Sequence, residues 1–216
     1  MNKGVQSIAI LDYGVGNIKS ITNAFDRFNA QTVLTSNYSD ISSSKGLVIP
    51  GVGAFAHGMK KLEEINLINI IKEFAESGKP ILGICLGMQM LFSKSEEFGT
   101  SQGLDLISGV VKKLPVTKPQ KLPHIAWSPI LIQNNNSWSE TILDSIEEGS
   151  SLYHVHSFFA KPDNSKHVLA ESSFYDFKYC SVVKKQNIYG CQFHPEKSGP
   201  IGLEIIQNFS EKVCNI

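Results

Sequence analysis

The sequence predicts an α/β fold with a mostly parallel central sheet flanked by helices and with added antiparallel strands. Three observations predict it. Short apolar runs of strand length alternate with helical apolar spacing through the first ninety or so residues; from about residue 109 short strands follow one another directly; and no linker or repeat divides the chain, so residues 1–216 are expected to form one domain.

Residues 7–11 (SIAIL) open the chain as a strand. Over 17–28, Ile18, Ile21, Phe25 and Phe28 recur at spacings of 3, 4 and 3, one face of a helix, and Asn17 after Gly16 is placed to cap it. Residues 31–35 and 45–49 read as further strands. Helical spacing over 59–76 stops at Ser77-Gly78-Lys79-Pro80. Residues 80–84 (PILGI) read as a buried strand and 86–92 as the helix that follows it. The second half holds the short strands VVKKL, PILIQ, YHVHSFF, HVLAES, YCSVVKK and IYGCQF, and a polar loop at 133–139 with Asn134, Asn135 and Asn136. A last helix, about 202–214, buries Ile205, Ile206, Phe209 and Val213.

With 42% hydrophobic and 19% charged residues, 216 residues suffice for one domain with a real core. Twenty Lys plus Arg balance twenty Asp plus Glu, which gives no field to attract nucleic acid or an anionic membrane. The pairs Lys112-Lys113 and Lys184-Lys185 are too short to form a patch. No apolar run approaches the roughly 20 residues of a spanning helix, and MNKGVQSIAIL lacks a signal-peptide pattern, so a cytoplasmic protein is expected. Cys85, Cys180, Cys191 and Cys214 form no CxxC pair and are expected to be thiols. His154 and His156 find no third ligand and read as part of a half-exposed strand; neither a metal nor a cofactor is expected. Gly14-Val15-Gly16 begins like a dinucleotide fingerprint, but Lys19 stands at the third glycine position and no acidic residue closes 33–36, so a plain backbone turn is the better reading.

Gly83-Ile84-Cys85-Leu86-Gly87 has the spacing of the nucleophile elbow, G-x-S-x-G, with Cys for Ser, and it sits between a strand and a helix as that motif requires. A turn this sharp strains the nucleophile's backbone and leaves no room for flanking side chains. It places Cys85 at a helix N-terminus, where unpaired N–H groups favour a thiolate, and leaves the Leu86 N–H to face a developing oxyanion. Far along the chain, Gln192-Phe193-His194-Pro195-Glu196 follows an apolar strand. Pro195 biases His194 toward extended geometry, in which residues i and i+2 share a side. Glu196 can then orient the His194 imidazole as the base for a thiol.

These residues resemble the class I, triad-type glutamine amidotransferases. Asp12-Tyr13-Gly14-Val15-Gly16-Asn17, Pro50-Gly51-Val52-Gly53-Ala54-Phe55, Gly83-Ile84-Cys85-Leu86-Gly87-Met88-Gln89 and Gln192-Phe193-His194-Pro195-Glu196-Lys197-Ser198 look like the HisH family, the glutaminase subunits of imidazole glycerol phosphate synthases. The resemblance runs from about residue 8 to the last helix. It implies a flavodoxin-like class I glutamine amidotransferase fold and a glutaminase that releases ammonia from glutamine. Cys85 matches the nucleophile, His194 the general base and acid, and Glu196 its partner. The PGVG segment, around Val52 and Gly53, matches the second oxyanion donor beside Leu86. Gln89 and Glu97 match residues that hold the glutamine head group, and the 153–158 strand, with His156, Ser157 and Phe158, matches one wall of that pocket. Asn17, Trp127 and Lys197 match positions facing the partner. That partner is by resemblance a separate (β/α)8-barrel synthase subunit, HisF-like, in a heterodimer that makes imidazole glycerol phosphate and an aminoimidazole carboxamide ribonucleotide in histidine biosynthesis.

One stretch departs. The family's usual Pro-His-Met-Gly-Trp-Asn is here Pro123-His124-Ile125-Ala126-Trp127-Ser128. Paralogous subunits supply ammonia for amidino groups on surface sugars, and this variation on the expected partner side keeps that pathway as the alternative. A cysteine peptidase or esterase would share the elbow and triad, but is not expected to combine Gln89 with the PGVG loop. A fold retained only for binding would be expected to lose Cys85 or His194.

Overall fold

The structure is a computed structural model that describes residues 7–117, 119–133 and 137–215; the first six residues, residues 118 and 216, and the Asn134, Asn135, Asn136 part of the expected polar loop lie outside these. The first half builds β1 (Ile8–Leu11), α1 (Ile18–Asp26), β2 (Thr32–Thr35), α2 (Tyr38–Ser43), β3 (Gly46–Ile49), α3 (Phe55–Glu64), α4 (Leu67–Glu76), β4 (Ile81–Ile84) and α5 (Leu86–Met90). Then come β5 (Phe92–Ser95), β6 (Ser101–Gln102), β7 (Ile107–Lys113), β8 (His124–Pro129), β9 (Leu131–Ile132), β10 (Ser151–His156) and β11 (Phe158–Pro162). The chain closes with β12 (Val168–Phe174), β13 (Phe177–Lys185), β14 (Ile188–Cys191) and α6 (Gly199–Asn208).

The central sheet has eight strands in the order β2-β1-β3-β4-β14-β13-β12-β9. Pairings from β2 through to β14 are parallel, and those from β14 out to β9 are antiparallel. This is the expected α/β architecture. Alternation along the parallel strands divides the core between the two faces. Ala9, Leu11, Leu47, Ile49 and Ile81 pack with Leu62, Ile71 and Leu86 of α3 to α5. Ile8, Ile10, Val48, Leu82 and Ile84 pack with Phe25 of α1 and Ile205 and Ile206 of α6. Burial on both faces is why IAIL, GLVI and ILGI carry no polar alternation. Among the described residues two further sheets stand beside it, the antiparallel pair β10-β8 and the four-stranded β11-β7-β5-β6.

Asn17 caps α1 as expected, its side chain accepting from the Ser20 N–H at 3.4 Å. The single helix expected over 59–76 is instead α3 and α4, divided at Asn66, which takes left-handed φ of 58°. Apolar residues run on across the break at Met59, Leu62, Ile65, Ile68, Ile71 and Phe74, so periodicity alone does not reveal it; asparagine tolerates that conformation better than most residues. The helix after Cys85 has five residues, because Phe92 begins a strand. Strand IYGCQF is no antiparallel addition on its β4 side: β14 runs parallel to β4, with Cys191 beside Ile84. YHVHSFF is broken at Ser157, where the chain passes from one sheet to another. Among the described residues no helix is long and apolar enough to cross a membrane.

Candidate active site

Cys85 follows β4 with φ 54° and ψ −109°, a backbone region costly for any side chain. The flanking glycines let the turn close. A Cβ on Gly87 would stand 1.8 Å from the Ile49 carbonyl oxygen, and one on Gly83 2.7 Å from the Met88 nitrogen. The Cys85 N–H donates to the Cys191 carbonyl at 2.7 Å, tying the turn to β14. Three residues beyond Cys191 stands His194, its backbone extended as Pro195 demands. Adjacent parallel strands therefore deliver both residues to one end of the sheet.

His194 Nδ1 lies 2.8 Å from Glu196 Oε1, with both side chains almost wholly buried. That leaves Nε2 as the nitrogen available to the Cys85 thiol. Burial opposes the imidazolium, but hydrogen bonds and charge from Cys85 and Glu196 overcome it and carry His194 up to about 10. Glu196 Oε2 has no partner among the described residues. Ser198 Oγ braces the segment, donating to the His194 carbonyl at 2.6 Å and accepting from the Tyr153 N–H at 2.9 Å.

A cavity of about 410 Å³ opens over this pair. It brings together Val52, Gly53, Cys85, Leu86, Gln89, Glu97, His156, Ser157, Phe158, His194 and Lys197, all singled out in the sequence, and Val155 of the expected 153–158 wall, with Phe98 and Pro123, which were not. Glu196 stands behind His194 rather than in the lining. Gln89 Nε2 donates to the Phe158 carbonyl and to Gln192 Oε1, each at 3.0 Å. Glu97 also serves the fold. Its Oε2 accepts from the Phe55 N–H at 2.7 Å and so caps α3, whose formal cap Ala54 has no side chain to do so. The Leu86 N–H expected to be open is directed to the Gly51 carbonyl at 3.4 Å.

Two residues missed by sequence reasoning touch this machinery. Gln192, fully buried, places Nε2 3.9 Å from Cys85 Sγ. Tyr13 donates its hydroxyl to the Pro50 carbonyl, and burial followed by the charge of Cys85 raises its pKa beyond the ordinary phenol range. Only contact reveals them; both sit inside quoted motifs, without a spacing signal of their own.

The strand carrying His154 and His156 is half-exposed as expected, and both histidines lie on its buried face, each bonded. His154 pairs with the Leu152 carbonyl and Ser181 Oγ, His156 with the Phe158 carbonyl and the Tyr179 hydroxyl. Burial pushes His154 down to about 3 and holds His156 well below its usual range. Among the described residues no group of three or more His, Cys, Asp or Glu is arranged for a metal ion. Cys180, Cys191 and Cys214 are buried free thiols, all raised by burial, Cys214 to about 12. Asn17 and Trp127 stand apart from the cavity; Trp127 is 56% exposed and leans on Tyr153. In the segment that departs from the resemblance, Ser128 turns inward to His124 Nε2 at 3.0 Å, whereas Ile125 and Trp127 face out.

A thiol, an oriented imidazole and a buried carboxylate beside a cavity with polar walls can perform acyl transfer from a small amide. Residues 9–213 match the glutamine amidotransferase class-I family. The chain belongs to the class-I glutamine amidotransferases. It is 50% identical over 210 residues to a Legionella pneumophila (strain Paris) protein named imidazole glycerol phosphate synthase subunit HisH 1, covering 95% of this chain and 99% of the relative. It is 44% identical over 202 residues to the HisH subunit of Bacillus cereus (strain ATCC 10987 / NRS 248), covering 94% and 93%. Among solved structures it resembles a glutamine amidotransferase at TM-score 0.71 and 15% identity, covering 99% and 100% of the two chains. PurLQS from Thermotoga maritima matches at TM-score 0.67 and 19% identity, covering 94% and 96%. At such identities these structures speak for the fold, and the fold is that of class-I glutamine amidotransferases.

Proposed function

We propose that this chain, acting as one domain in the cytoplasm, is the glutamine-hydrolysing subunit of an imidazole glycerol phosphate synthase in histidine biosynthesis. The observation that carries the chemistry is the placing of Cys85 and His194 in one cavity with Gln89 and Glu97, with Glu196 bonded to the imidazole from behind. His194 takes the thiol proton, and Cys85 attacks the side-chain amide carbon of glutamine. His194 returns the proton to the departing ammonia, and water then hydrolyses the glutamyl thioester with His194 as base. Glu97, with Oε2 already committed to Phe55, keeps Oε1 for the substrate ammonium. Burial on every side supports Glu196 as the residue that holds the imidazole tautomer.

The oxyanion between these steps needs N–H donors at Leu86 and at Val52 or Gly53. In this conformation the Gly51 carbonyl occupies the Leu86 donor. Rotation of the Gly51–Val52 peptide would release it and turn the Val52 N–H about, and Gly53, already at φ 93°, can follow. Hydrolysis by the isolated chain is therefore expected to be slow.

The ammonia goes to a separate synthase subunit of the (β/α)8-barrel, HisF-like kind. Exposed Ile125 and Trp127 on β8, with Asn17 and with Lys197 at the cavity, are the surface that meets it. The replacements at Ile125, Ala126 and Ser128 leave the outward Trp127 in place, which favours the histidine pathway over the amidino-sugar alternative.

The test is ammonia release from glutamine, with Cys85→Ala as control, alongside growth without histidine of a strain lacking its own histidine glutaminase. Hydrolysis lost in the variant, together with rescue by the native chain, is the expected result. A folded native chain that releases no ammonia from glutamine, alone or with such a synthase, overturns the chemistry. Hydrolysis without rescue overturns the pathway.

A further inference from the structure

Gln192 belongs to none of the roles assigned above, yet it lies between two residues that have them. It is fully buried, at the end of the strand that leads to His194, with its backbone N–H on the Ser181 carbonyl. We propose that Gln192 is a positioning residue which orients the nucleophile and the substrate-reading amide as one unit, its Nε2 donating to Cys85 Sγ and its Oε1 accepting from Gln89. The inference rests on the reading of Cys85 as nucleophile.

The direction of each bond follows from one fixed point. The Phe158 backbone carbonyl can only accept, so the end of Gln89 that meets it at 3.0 Å is the NH2 group. The same nitrogen lies 3.0 Å from the Gln192 amide, so the Gln192 atom facing it must be the oxygen. The Gln192 NH2 is then turned to Cys85, at 3.9 Å, a hydrogen-bond distance for sulfur. Polarity passes from the β11 backbone through two amides to the thiol, and neither amide can flip without losing both of its bonds.

Two consequences follow for the chemistry. A buried N–H aimed at sulfur gives the nucleophile a hydrogen-bond donor as well as a base. It also restrains the sulfur opposite His194. Gln89, with both donor hydrogens engaged, is left with its oxygen for an incoming donor, and the ammonium of an amino-acid substrate is one.

The test is alkylation of Cys85 by iodoacetamide in the isolated chain, followed by mass spectrometry across pH, with and without glutamine as protectant. Gln192→Glu keeps an acceptor for Gln89 and sets an oxygen against the sulfur. Its alkylation at neutral pH is expected to slow about tenfold, with a profile moved to higher pH, while the half-protecting glutamine concentration stays near native. Gln192→Met removes both bonds, so alkylation slows and the half-protecting concentration rises about tenfold. Gln89→Met makes no change at a Cys85 partner, yet it unfixes Gln192 and is expected to slow alkylation too; it also serves if the buried Gln192 variants do not fold. Native-like alkylation profiles in the folded variants overturn the proposal. So does a loss that merely follows the melted fraction. Failure of glutamine to protect native Cys85 would instead sink the glutaminase reading, leaving the link from Gln192 to sulfur to be judged by the pH profiles.

Discussion

The backbone N–H of Cys85 and the carbonyl of Cys191 are joined at 2.7 Å, so the turn bearing the thiol and the strand leading to the imidazole are fastened before any side chain takes part. Geometry between Cys85 and His194 is thus a property of sheet pairing. What this arrangement costs, and what it holds in place, can be measured.

Cys85 sits at φ 54° and ψ −109°, where alanine is strained as much as cysteine and glycine is not. Both Cys85→Ala and Cys85→Gly should be inactive. The glycine variant should nonetheless be the more stable of the two by about 1 kcal/mol, a rise of roughly 2–4 °C in melting temperature for a chain of this size. Equal melting temperatures would show that the turn is relaxed.

Glu97 supports α3 and lines the Cys85 cavity at once. Glu97→Gln keeps an oxygen for the Phe55 N–H but removes the charge, so the melting temperature should hold while the KM for glutamine rises about tenfold. Glu97→Ala should raise KM similarly and also lose about 1 kcal/mol of stability with the cap. Thermal melts and steady-state kinetics on the pair separate the two roles.

On the alkaline side, His194 is raised from 6.5 to about 10 by Cys85 and Glu196 against its burial. A base that gains proton affinity on folding contributes stability that is complete below pH 6.5 and is lost as pH climbs toward 10. Melting temperature should therefore decline from about pH 7 to 9. The decline should be shallower in Glu196→Gln, whose turnover should fall about a hundredfold or more. An equally steep decline in that variant would remove Glu196 from the linkage.

Below pH 6.5 the buried His154 and His156 act in the opposite sense. Their folded values are depressed by burial, His154 to about 3, so the unfolded chain takes up protons that the native state refuses. Stability should drop as pH falls from 6.5, each histidine adding a slope of about 1.4 kcal/mol per pH unit once the unfolded form is protonated. Urea midpoints at about pH 6.5, 6.0 and 5.5 measure this, before carboxylates begin to titrate. His154→Gln should flatten the slope by up to one proton.

How much of this was legible in the sequence depended on how local the physics was. The elbow is a five-residue constraint, since a strand, a thiol and a helix cannot join that tightly without Gly83 and Gly87, and it could be read directly. His194 and Glu196 were legible for the same reason, through Pro195. What could not be read was the pairing of β14 parallel to β4, because IYGCQF looks like its antiparallel neighbours; yet that pairing brings the two halves of the site together. The break at Asn66 was hidden by an unbroken apolar rhythm. The inward turn of Ser128, the cap made by Glu97 and the bridge made by Gln192 all depend on neighbours 4 to 107 positions away, and composition and spacing are silent about them.

Gly87 rests backbone to backbone on Ile49, with no space for even a methyl group between them. The height of the Cys85 turn above the sheet is therefore set by main-chain atoms common to every amino acid. Relatives can exchange the surrounding apolar side chains over long divergence while that height stays constant, so drift in the interior and preservation of chemistry are compatible so long as one hydrogen atom remains where a side chain would otherwise begin.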